Sequence, residues 1–224
     1  MKINGTKLNI IRTGTRMFME RGFADCSSRQ LCDELNISPG NLTFHFPTKE
    51  HLLAVLTQML CDHQWQMMAR ATDEGKTSLM AYCLELIAMA SICEEDGNAK
   101  DLYLSMYTHP MTLEIIRRND AKKTQMVFGC YNPEWTEANF REAETIVSGI
   151  EYATLQTTES SETLQTRITG ALTAIMLIYN VPDDIRRTKL DKVLAMDYRA
   201  IGRQILHEFL TYLDEQNEPE GSLD

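Results

Sequence analysis

The chain has 224 residues, of which 43% are hydrophobic and 24% charged. That is enough apolar material for one large or two modest cored domains, and it excludes disordered and low-complexity classes. The net charge of −10 argues against binding nucleic acid along the whole length. No run approaches the ~18 uncharged apolar residues of a membrane span, so no membrane partner is expected.

The opening residues, MKINGTKLNIIRTG, lack the apolar core and small-residue cleavage site of a secretory signal. Cys26, Cys32, Cys61, Cys83, Cys93 and Cys130 form no CxxC pair, which points to reduced thiols in a cytoplasmic protein. Neither a disulfide frame nor a metal site is expected, and nothing implies a cofactor.

Residues 6–21 are predicted to form a first helix. Leu8, Ile11, Thr15 and Phe18 share one face, Arg12 and Arg16 lie on a solvated face, and Gly22 supplies the stop. In 27–35, Ser27 or Ser28 is the N-cap, and Leu31 and Leu35 are four apart on one face. Asn36 tolerates the left-handed turn. A second short helix then opens with Ser38 as cap and Pro39 at the first helical position, where its missing N–H costs nothing. Leu42 and Phe46 face inward. Two short helices joined by a turn of about three residues make a helix-turn-helix.

The outer face of the second helix would present Pro39, Asn41, Thr43 and His45, with Gly40 at the entrance. Asparagine pairs bidentately with adenine, and threonine offers a hydroxyl or a methyl to thymine. Gly40 leaves room for backbone N–H groups to approach a phosphate. Thr48 caps the next helix. Lys49 then stands in a first turn, where the helix dipole disfavours a cation, and a phosphate partner is one explanation. Any small helical bundle also has capped helices and surface lysines, so these features alone leave a plain structural reading open.

The order SSRQLCDELN-ISPGNLTFHFPTKEHLL resembles the DNA-binding domain of the tetracycline-repressor (TetR) family of bacterial regulators. The matches are Ser28, Arg29, Leu31, Ile37, Ser38, Gly40, Leu42, Phe46, Pro47, Lys49 and Glu50, and the resemblance covers roughly residues 6–55. Three positions depart from the pattern: Pro39 stands for a frequent lysine, Asn36 for glycine, and Thr43 for a tyrosine that usually meets a phosphate. The resemblance implies DNA contacts from Ser28, Arg29, Ser38, Pro39, Gly40, Asn41, Thr43, His45 and Lys49. It also implies an all-α chain with a helix-turn-helix domain at 1–50 and a ligand-binding and dimerisation domain at 51–224.

Charge divides at the same boundary. Residues 1–50 hold seven basic and five acidic residues, a net +2, whereas 51–224 hold fifteen basic and twenty-seven acidic, a net −12. An acidic body confines DNA contact to the head and makes binding salt-sensitive.

Beyond the head, helices are predicted over 48–71 (the lever that transmits ligand binding, by the resemblance), 78–93 (almost wholly apolar and central), 99–108, 112–130 with a basic run Arg117, Arg118, Lys122 and Lys123, 134–158, 161–179, a short one after Pro182, and 197–216. Residues 73–76 read as a turn, 94–96 as a solvated acidic helix end, and 215–224 as a polar tail. Leu164, Ile168, Ala171, Leu172, Ile175 and Met176 form an apolar stripe. It either closes the monomer core or makes a dimer interface with 146–156, and the resemblance to a four-helix dimer bundle favours the interface.

Candidate lining for a ligand pocket comprises Trp65, Met68, Met89, Tyr103, Met106, Tyr107, His109, Trp135 and Phe140. Each of these is more often plain core, so no single ligand residue is assigned. No GxSxG, HExxH or glycine-rich phosphate loop is present, and an enzyme is not expected. The reading is a homodimeric regulator, most simply a repressor, that binds a pseudo-palindromic double-stranded DNA operator and is released by an unknown small-molecule effector. The alternative is a helical small-molecule-binding or adaptor protein whose head no longer reads DNA.

Overall fold

The computed structural model describes residues 5–72, 78–158 and 161–215. The turn expected at 73–76 and nearly all of the tail expected at 215–224 lie outside them. The described residues form helices joined by short loops, with no strand among them: α1 Gly5–Arg21, α2 Ser28–Leu35, α3 Pro39–His45, α4 Lys49–Ala71, α5 Leu79–Glu95, α6 Gly97–Thr108, α7 Pro110–Phe128, α8 Glu137–Leu155, α9 Leu164–Ile178, α10 Asp183–Leu194 and α11 Tyr198–Glu215. None is long and apolar enough to cross a membrane.

The predicted centre is α5. Every residue from Leu79 to Cys93 is buried except Glu85. A helix apolar all round must be covered all round, and α4, α6, α8, α9, α10 and α11 pack against it. The closest approach is at Gly202 of α11, where a Cβ would stand 3.0 Å from the Ala88 carbonyl oxygen. Any side chain there would press the two backbones apart by a few tenths of an ångström.

Three boundaries move for local reasons. Asn132, buried, donates from Nδ2 to the Phe128 and Tyr179 carbonyls at 3.0 and 2.8 Å. That bond holds a single 3-10 turn, Gly129–Tyr131, between α7 and α8. Helix α8 therefore starts only after the reciprocal cap of Thr136 with Asn139, at Glu137 rather than 134. Thr163, not Ser161, caps α9. The acidic segment 94–96 is not simply solvated: Arg199 and Arg203 of α11 reach Glu95 at 2.9 Å each, and Asp96 Oδ1 caps α6 by accepting from the Asn98 and Ala99 amides.

The larger correction concerns the stripe on α9. Leu164, Ile168, Leu172, Ile175 and Met176 are at most 3% exposed within one chain, so they close the monomer core. Helices α5, α8 and α10 cover that face. What α9 leaves outside is its opposite side, Gly170, Ala174 and Leu177, beside Ile146, Gly149 and Ile150 of α8. Ile146 is 58% and Leu177 52% exposed, two of only four large hydrophobic residues so exposed among the described residues.

Candidate functional site

The head is built from its caps. Ser27, rather than Ser28, is the N-cap of α2: its Oγ accepts from the Gln30 amide while Gln30 Oε1 accepts from the Ser27 amide at 2.7 Å. Asn36 ends α2 in the left-handed conformation, φ 52°. Ser38 Oγ accepts from the Asn41 amide at 3.2 Å and starts α3, with Pro39 at its first position. Leu31, Cys32, Leu42 and Phe46 are buried beneath the two helices together with Leu52 of α4. Helix α1 crosses close to α4 at Gly14, where a Cβ would collide with the Leu52 side chain at 2.5 Å.

With the apolar face spent, the other face is open. Ser28, Arg29, Ser38, Pro39, Gly40, Asn41 and Thr43 are all exposed, and His45 is half-buried. The Thr43 hydroxyl donates back to the Pro39 carbonyl at 3.0 Å and keeps its lone pairs outward. Phe44 also stands in this row, 82% exposed, with its ring edge-on to His45 at 5.0 Å. The sequence list omits it, although two residues beyond Leu42 a helix turns by about 200° and must point outward.

Lys49 is the residue whose expected role changes. Its ammonium donates to the Phe23 and Cys26 carbonyls at 2.9 Å each and lies 4.3 Å from the centre of the Phe23 ring. These inward contacts explain a cation in the first turn of α4 without a phosphate. They tie the α1–α2 loop to α4.

The head is also bonded to the body. Gly22 ends α1 at φ +84°. Beyond it the Ala24 amide donates to Asp101 Oδ2 of α6 at 2.9 Å, and Asn98 Nδ2 donates to the Glu20 carbonyl at 2.7 Å. Arg12, expected on a solvated face, pairs with Asp214 of α11 at 2.9 Å.

The other end of α6 reaches a cavity of about 40 Å³ between α4, α5, α6, α7 and α8. Met89, Tyr103, Met106 and Tyr107 line it, four of the nine candidates. Met68, His109, Trp135 and Phe140 lie elsewhere, and Trp65 stacks on Lys123 at its side. The unanticipated part is the charge: Glu85, Asp120, Lys123 and Glu151 also line the cavity. Lys123, read from the sequence as part of a basic run, is buried against Glu85, with Asp120 at 3.7 Å. The Tyr82 and Tyr107 hydroxyls donate to the two oxygens of Glu151 at 3.3 and 3.1 Å. Tyr179 donates to Glu144.

Burial pushes the carboxyls of Asp120, Glu144 and Glu151 upward. Asp120 rises to about 6 despite Lys123 beside it. Glu144 rises to about 8 through burial and the neighbouring Asp120, and Glu151 is raised for the same two causes. Burial works against the Lys123 ammonium, but Glu85 and Asp120 outweigh it and keep it charged. A sequence signal existed: Glu85 interrupts an otherwise apolar helix, and Glu144 and Glu151 fall seven apart on the buried face of α8, which includes Val147.

A short, doubly capped helix pair with its polar face free is a helix-turn-helix DNA-binding module, and here it is carried on an all-α body. Comparison with known families agrees: residues 10–56 match the bacterial regulatory proteins of the tetR family. Residues 10–56 are a tetR-family DNA-binding domain, which implies a DNA-binding transcriptional regulator. No match was found among the curated proteins. No group of acidic, histidine and cysteine side chains among the described residues could hold a metal ion.

Proposed function

We propose that the chain acts as a cytoplasmic homodimer, a repressor that binds a pseudo-palindromic operator and leaves it when a small molecule enters the body. The observation that carries this is the open row on α3, Pro39, Gly40, Asn41, Thr43 and His45, held on a head whose own polar groups are already capped. Asn41 and Thr43 read base edges, and Phe44 meets a thymine methyl. Ser28, Arg29 and Ser38 meet the backbone. Lys49 takes part by holding the loop that carries α2 rather than by touching phosphate. The domains divide near residue 50, with α4 crossing from head to body.

Dimerisation through the outer side of α8 and α9 is supported by exposed Ile146 and Leu177 around Gly149, Gly170 and Ala174, where small residues permit close helix approach. Release is supported by α6, which lines the cavity at Tyr103, Met106 and Tyr107 and is bonded to the head at Asn98 and Asp101. A ligand that shifts α6 acts on head spacing by population shift between DNA-fitting and non-fitting dimers.

Selection of bound sites from random duplex DNA at about 0.1 M salt tests the reading. An inverted repeat with half-sites about one helical turn apart is expected. No enriched motif from a folded dimer would overturn it in favour of a head that has lost DNA reading. Asn41→Ala should shift the selected motif at one position, worth about 1–3 kcal/mol of discrimination, with stability unchanged.

A further inference from the structure

The polar residues around the central cavity are unbalanced. Glu85, Asp120 and Glu151 line it and Lys123 is the one cation among the lining residues. Lys123 is already committed to Glu85, with Asp120 next to it. Glu151 is left with two phenol donors and no ion pair among the described residues. Two turns earlier on the same face of α8, Glu144 is fully buried, and its Oε2 has no hydrogen-bond partner. A buried carboxyl held by neutral donors and no cation is costly to ionise, and Glu151 stands in that position at the wall of the cavity.

The same site shows how an ammonium is held. Lys123 Nζ lies 4.8 Å from the Trp65 ring centre and 5.5 Å from that of Tyr82, with carboxylates completing its surroundings. Around the empty space stand the carboxyl of Glu151, the Tyr82 and Tyr107 hydroxyls bonded to it, and the thioethers of Met89 and Met106 as adaptable apolar walls. A volume of about 40 Å³ suits a compact charged group rather than a bulky one.

We propose that this cavity receives the ammonium group of an organic amine on Glu151, between Tyr82 and Tyr107, and that such cations are the effector class of this regulator, an assignment that rests on the effector-release reading above. Binding exchanges one positive charge for another: the ammonium enters and a proton leaves the carboxyl cluster to solvent. The titratable groups around the site come from every surrounding helix: Glu85 and Tyr82 on α5, Asp120 and Lys123 on α7, Glu151 on α8 with Glu144 two turns before it, Tyr103 and Tyr107 on α6, Cys61 on α4, and Tyr179 after α9, bonded to Glu144.

The test is calorimetric titration of the full chain with methylammonium, beside the neutral and anionic counterparts methanol and formate, all small enough for the cavity. Two buffers of different ionisation heat count the protons released. Saturable binding of the ammonium, at least tenfold tighter than either counterpart and with proton release, is expected. Glu151→Gln should weaken it at least tenfold. Tyr107→Phe, which removes only a hydroxyl, should weaken it several-fold in a chain shown folded by circular dichroism. Equal binding of the neutral counterpart, or no saturation by the ammonium, would overturn the cation site. A gel shift with selected operator DNA separates the two readings. Ammonium that binds without releasing DNA keeps the site and removes the effector role. DNA released only by neutral compounds keeps effector release and removes the cation.

Discussion

At the scale of single residues, sequence position and side-chain direction part company at Lys49. Position placed a cation beside DNA, whereas the ammonium turns inward to the Phe23 and Cys26 carbonyls. Lys49→Met should therefore destabilise the head by about 1–3 kcal/mol, the scale of charge-assisted hydrogen bonds, read as a lower urea midpoint. An unchanged midpoint with a flatter salt dependence of DNA binding would restore the phosphate role. Glu144 gives a second prediction. Its carboxyl rises from 4.5 to about 8 on folding, so the folded chain holds a proton there that the unfolded chain has lost. This group's contribution to stability is complete below about pH 4.5, falls as pH climbs toward 8, and is level above. Asp120, raised from 3.8 to about 6, acts in the same direction over its lower window. Glu144→Gln should flatten the loss of stability between pH 5 and 8, measured by urea unfolding at several pH values. An identical slope in the variant would mean that Glu144 is ionised in the folded chain.

Among elements, α6 has the most consequential position. Its N-terminal turn bonds the end of α1 and the loop after it, and its C-terminal half lines the cavity. Asp101→Ala removes the acceptor for the Ala24 amide, whose hydrogen exchange should quicken at least tenfold while α5 amides keep their protection. Ala24 exchange that stays slow would disconnect α6 from the head. The helix boundaries that moved, at α8 and α9, moved because capping geometry decides a terminus. Several Ser and Thr in 157–166 are equivalent on paper until the chain direction selects Thr163.

For the whole molecule, the distribution of apolar surface decides assembly. The stripe on α9 that resembled an interface is occupied by α5, α8 and α10, and a different face, Ile146 with Leu177, is left exposed as the proposed dimer surface. Leu177→Glu places a charge in that face and should convert a dimer into monomers in sedimentation equilibrium, with the melting of each chain little changed. Sedimentation as a dimer after this change would remove the α8–α9 interface.

The sequence alone determined the all-α class and the capped helix-turn-helix, because hydrophobic period, N-caps and Pro39 act within a few residues of one another. It also determined the central place of α5, since a helix apolar on every side has nowhere else to go. Charge separation between head and body was legible for the same reason: it is a sum along the chain. Tertiary structure alone decided which apolar face of α9 was covered, where the Lys49 ammonium turned, and that Glu85, Asp120, Lys123 and Glu151, drawn from three helices, line one cavity. Those outcomes depend on which helices meet, and two residues 66 positions apart in sequence, Glu85 and Glu151, carry no local sign that they will share a desolvated space.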